Sequence, residues 1–217
     1  MTNPFGSPRP DLALGVVSTE DIPGLYRAAH AQDWDQQGTI HARQWVTSSM
    51  AWPLVEAAVN DDDPASLVNL SHERGNLPPP ASLEKLIAEA VYERVRQEVV
   101  PDAPSRLDCV FAALDAYAAM DFVWATSTPP IIDPETGWVL NWPLAKLVST
   151  GGRPWIALDM TLFSMHQETA QDEGGIVEQI GQLEAQARNY WQGQRGQAPI
   201  IEILVEAVDL LGVESRI

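Results

Sequence analysis

Two kinds of apolar pattern alternate along the chain: stretches with helical spacing and short continuous runs. The clearest helical stretch is 82–99, where Leu83, Leu86, Ile87, Ala90, Val91 and Val95 recur at three- and four-residue intervals. Ser82 can cap its start and Pro101 stops it. Lys85 stands where a capping box needs Glu, so that box is absent. Glu89 and Glu93 form a like-charge i,i+4 pair, and Arg96 lies three residues beyond Glu93. A second helix is expected over 176–191, with Ile176, Ile180, Leu183, Ala187 and Tyr190 on one face. A third is expected over 47–60, its stripe formed by Met50, Leu54, Val55 and Ala58. The run Asp61-Asp62-Asp63-Pro64 ends it and caps a short helix reaching residue 72.

The continuous runs read as strands. Pro199-Ile-Ile-Glu-Ile-Leu-Val-Glu-Ala207 is a continuous run rich in β-branched residues and is expected to lie centrally in a sheet. Shorter strands are expected at 25–29, 122–126, 138–142 and 154–159. Segment 102–118 reads as a short helix, or a turn into one, opened by Pro104. Residues 1–11 carry three prolines and a glycine and read as a flexible leader to a single domain over 12–217. Helices come first and strands mostly later, which predicts the α+β class.

The length of 217 residues suits one domain, and an apolar fraction of 45% is enough for a sizeable core. The eight tryptophans are expected to pack in that core. The net charge of −17 opposes nucleic-acid phosphates and anionic membranes, so neither is an expected partner. Cys109 is the one cysteine and sits among apolar residues, which points to a buried, inert thiol in a reducing, cytoplasmic setting. The first residues lack a signal-peptide pattern, and no run of eighteen apolar residues occurs.

Several chemistries are disfavoured by spacing. The four histidines, His30, His41, His72 and His166, form no His-x-x-x-His pair, there is no Cys-x-x-Cys, and no metal is expected. Asp61–Asp63 lacks the glycine and glutamate of a calcium loop. The Gly151-Gly152 and Gly174-Gly175 pairs fit no phosphate-loop pattern, and Gly-x-Ser-x-Gly is absent.

Three pieces could carry chemistry together: Tyr26-Arg27 on an early strand, Thr126-Ser127-Thr128 after a strand, and Glu202 with Glu206 on the late one. A guanidinium can hold a phosphate bidentately. Hydroxyls can hold a ribose. A carboxylate on a sheet can stabilise positive charge developing at an anomeric carbon. A competing reading pairs Glu202 structurally with Arg106, leaves Arg27 on the surface, and makes Ser127 a strand cap.

The order Arg, Ser/Thr triplet, Glu resembles the arginine–serine–glutamate class of ADP-ribosyltransferases. A poorly characterised bacterial and phage family related to that superfamily is similar in five stretches. These are Glu93–Arg96, Pro101–Ala112, Leu158–Met160, Tyr190–Gly193 and Pro199–Glu206, with Pro104-Ser105-Arg106 the most distinctive block. Two features depart from the class: Thr-Ser-Thr inverts its Ser-Thr-Ser, and Glu202/Glu206 is not its Glu-x-Glu spacing. The resemblance implies an ADP-ribosyltransferase-like α+β fold, with a central, mostly antiparallel sheet and a helical segment between residues 47 and 99. It implies mono-ADP-ribosyl transfer from NAD to a protein or small-molecule acceptor, without metal. Tyr26 would stack on nicotinamide, Arg27 would hold the diphosphate, and Ser127 the nicotinamide ribose. Arg106 would contact the cofactor, and Glu202 or Glu206, four residues apart on one strand, would be catalytic. The alternative expectation is a non-catalytic acidic protein that binds a basic partner.

Overall fold

A computed structural model describes residues 12–30, 38–41, 60, 80–120, 143–163 and 180–212. The leader at 1–11, the strands expected at 122–126 and 138–142, and Ser127 lie outside these residues, as do the helices expected over 47–72 except for Asn60, which is helical.

The helical periodicities become two helices, α1 (Pro80–Val99) and α2 (Ile180–Trp191). On α2 the expected stripe is realised in its described part, with Leu183, Ala187 and Tyr190 buried and Ile180 half-buried, while Ile176 lies outside the described residues. The end of α2 is a Schellman turn: Gly193 N–H donates to Tyr190 O and Gln194 N–H to Asn189 O, both at 3.0 Å. Gly193 takes φ +71° there and packs on the crossing segment at Gly15, itself at φ +74°. A Cβ on Gly193 would fall 2.2 Å from the Leu14 carbonyl, so both the conformation and the close approach require glycine.

Among the described residues eight strands form one sheet: β1 (Val17–Ser18), β2 (Pro23–His30), β3 (Thr39–His41), β4 (Val110–Ala113), β5 (Pro143–Ser149), β6 (Trp155–Asp159), β7 (Ile201–Val205) and β8 (Ala207–Gly212). Their order is β1-β6-β7-β4-β2-β5-β8-β3, and the neighbouring pairs are antiparallel. The strands read at 25–29 and 154–159 correspond to β2 and β6. Three readings need correction. Segment 102–118 holds a 3₁₀ turn (Arg106–Asp108) where a short helix or turn was expected, but strand β4 follows it, and helix returns only at residue 116. The apolar Val110-Phe-Ala-Ala run forms a strand because it pairs on both sides, with β7 and β2. The late strand ends at Val205, and Glu206 is a bend between β7 and β8. Three of the eight strands precede α1, so helices do not come first.

That bend dictates the shape of the sheet. One residue separates β7 from β8, yet β4, β2 and β5 lie between them in the sheet. Four strand spacings amount to about 19 Å when flat, whereas Val205 and Ala207 can be at most about 7 Å apart. The sheet therefore curls, bringing β8 round to β7 with Glu206 at the corner. One apolar cluster draws on both halves of the curl: Val110, Ile203 and Val205 from one side, Leu25, Val148 and Val208 from the other. The opposite face of β4, β6 and β7 carries Ile156, Leu158 and Leu204, which pack with α1 and α2.

Asp159 closes β6. Its buried carboxylate accepts from Thr161 N–H at 3.0 Å, Thr161 Oγ1 at 2.8 Å, Gly196 N–H at 2.7 Å and Ile200 N–H at 3.1 Å. These bonds tie the loop before β7 to the end of β6. Burial works to raise this carboxyl, and the donors from Gly196, Thr161 and Ile200 outweigh it, holding it below the ordinary 3.8.

Gly193→Ala is expected to cost about 2–5 kcal/mol through left-handed strain and overpacking, read as a lowered urea midpoint. The stability that Asp159 adds is fully present above the ordinary carboxylate value and is lost as pH falls through its lower folded value. Asp159→Asn, which cannot titrate, is expected to be less stable than the parent at pH 7. The gap should narrow as pH drops below about 4, measured by urea unfolding across the series.

Candidate functional site

The site is built from the Pro-Ser-Arg block upward. Ser105, extended at φ −71° and ψ 136°, caps the 3₁₀ turn by accepting from Leu107 N–H at 3.1 Å. Its hydroxyl donates to Glu93 Oε2 at 2.7 Å. Glu93 also takes a two-pronged ion pair from Arg96 at 2.7 and 3.0 Å, as their three-residue spacing anticipated. Arg96 reaches on to the Pro101 and Ala103 carbonyls at 2.7 and 2.9 Å. The last turns of α1 therefore clamp the block and leave Arg106 only one direction, inward.

Arg106 is buried, and its guanidinium meets three elements. Nη1 donates to Glu202 Oε1 of β7 at 2.6 Å and to the Tyr190 hydroxyl of α2 at 2.6 Å. Nε lies 3.3 Å from Glu89 Oε2 of α1. The Tyr190 hydroxyl in turn donates to Glu202 Oε1 at 2.7 Å. Phe163 covers the guanidinium plane, with Cζ 3.7 Å from the ring centroid. Burial opposes the Arg106 charge, but Glu202, Tyr190 and Glu89 more than compensate and hold it well above its ordinary value. Burial pushes the Tyr190 hydroxyl and the Cys109 thiol well up, so both stay protonated at neutral pH. A protonated, buried Cys109 is a packing residue and not a nucleophile.

The structure thus brings together two of the expected site residues, Arg106 and Glu202, in a buried ion pair, and it places the others elsewhere. Tyr26, Ala28, Ala145 and Leu147 share one face of the β2–β5 pair with Ala113. Leu25 and Val148 point into the interior of the curl. By strand alternation Arg27 lies on the interior face, directly opposite Lys146 in the β2–β5 register. Glu202 lies on the other face, with Leu204 and the helices. Arg27 and Glu202 therefore sit on opposite faces of the sheet. Glu206 is exposed at the corner, so the expectation that it and Glu202 share one side of a single strand is corrected.

Glu89 and Tyr190 were not anticipated as partners of Arg106. A signal existed: Glu89, Tyr92, Glu93 and Arg96 follow i, i+3, i+4, i+7 spacing, a polar stripe beside the apolar one. The stripe's target, Arg106, lies on a separate element, so the Glu89 contact could not be read, whereas the Glu202–Arg106 pair matches the competing reading of the sequence. Among the described residues no group of histidine, cysteine and acidic side chains could hold a metal ion, and no helix is long and apolar enough to cross a membrane.

These features define an α+β protein with a curled antiparallel sheet, stapled to two helices by a buried arginine. A family profile described as "Protein of unknown function (DUF2441)" matches residues 55–209, and the chain belongs to that family. No curated protein matches the chain.

Removing Arg106 would leave two buried carboxylates without their shared cation. Arg106→Met is expected to cost about 3–5 kcal/mol, seen as a lowered denaturant midpoint with an unchanged slope.

Proposed function

We propose that the chain is an ADP-ribosyltransferase-like protein that binds NAD inside the curl of its sheet and breaks the bond between nicotinamide and ribose. The carrying observation is the position of Arg27. It lies half-buried on the interior face, beside a second cation, in a chain whose net charge is −17. Such a placement suits the NAD diphosphate, which a guanidinium can take in two parallel hydrogen bonds. In the reaction the C1′–N bond breaks and its electron pair returns to the nicotinamide ring. C1′ then bonds to an acceptor oxygen or nitrogen, which loses a proton. Where water is the acceptor, the products are ADP-ribose, nicotinamide and a proton.

The carboxylate that offsets charge at C1′ is assigned to Glu206. It is exposed at the corner where the two halves of the sheet meet, whereas Glu202 is committed to Arg106 and Tyr190. The role of Glu202 is to anchor the sheet to the helices. A second reading, a non-catalytic acidic protein that docks a basic partner, draws on the same commitment of Glu202 together with the net charge.

Calorimetric titration with NAD, followed by nicotinamide measurement in the same samples, separates the two. The transferase reading expects binding with slow nicotinamide release, and release falling about 100-fold in Glu206→Gln while NAD binding persists. Binding without release in the parent chain would leave a non-catalytic NAD-binding protein. Absence of binding at millimolar NAD would remove the cofactor assignment and favour a basic partner.

A further inference from the structure

We draw no further inference here: the strongest candidate, the Glu202 carboxylate oxygen Oε2 that lies buried without a hydrogen-bond donor between the sheet and the two helices, belongs to the Arg106 cluster already described, and nothing among the described residues shows a space beside it that a ligand could enter.

Discussion

A single buried guanidinium organises this protein. Arg106 has no water to solvate it, so its charge has to be met by groups brought from α1, α2 and β7, and it is met by Glu89, Tyr190 and Glu202. Removing an ion from water costs several kcal/mol, and only good geometry with further hydrogen bonds recovers it. That requirement fixes where the two helices stand on the sheet. The aromatic ring of Phe163 over the guanidinium and the edge-on ring of Tyr92 beside Tyr190 fill the space between these polar groups. Such a network is weak evidence of stability and stronger evidence of a unique arrangement, because a shifted helix would strand a charge.

The second constraint is geometric. A one-residue bend at Glu206 joins two strands that are four positions apart in the sheet, so the sheet has to curl. The curl separates two environments. The outer face of β4, β6 and β7 is covered by α1 and α2 and holds the Arg106 network. The interior face is lined by strand side chains and holds Arg27 and Lys146. The two carboxylates stand in different environments. Glu202, which matches the expected catalytic position by order along the chain, anchors the fold. Glu206, displaced from the strand by the bend, is open to solvent.

The family-like stretches can be understood in the same terms. Glu93–Arg96 and Pro104–Arg106 clamp each other and aim Arg106 inward. Asp159 staples a loop to the end of β6. In Tyr190–Gly193, Tyr190 joins the ion network, the Trp191 indole donates to Tyr92 O at 2.8 Å, and Gly193 permits the crossing with Gly15. Each residue serves the architecture by an identifiable contact, so these stretches speak to the fold more than to the chemistry.

What the sequence determined by itself was local. The periodicities of 82–99 and 176–191 mark α1 and α2, whose described buried stripes include Ala88, Val91 and Val95 and Leu183, Ala187 and Tyr190, because burial of one stripe favours a helix wherever its period is 3.6. The β-branched run at Ile201–Val205 makes a strand for the corresponding reason at period two. The pairing of Glu93 with Arg96 was visible because a helix makes residues three apart into neighbours. Strands β1, β3, β4, β5 and β8 were missed or merged, since short runs become strands only when partners from elsewhere in the chain complete their hydrogen bonds. The same limit applies to the site. Strand alternation gives the relative side of Tyr26 and Arg27, but only the curl decides which side is interior. The charge of Arg106 and its pairing with Glu202 were among the readings of the sequence, while its partners Glu89 and Tyr190 were chosen by tertiary packing, because a buried ion is stable only where the folded chain converges on it.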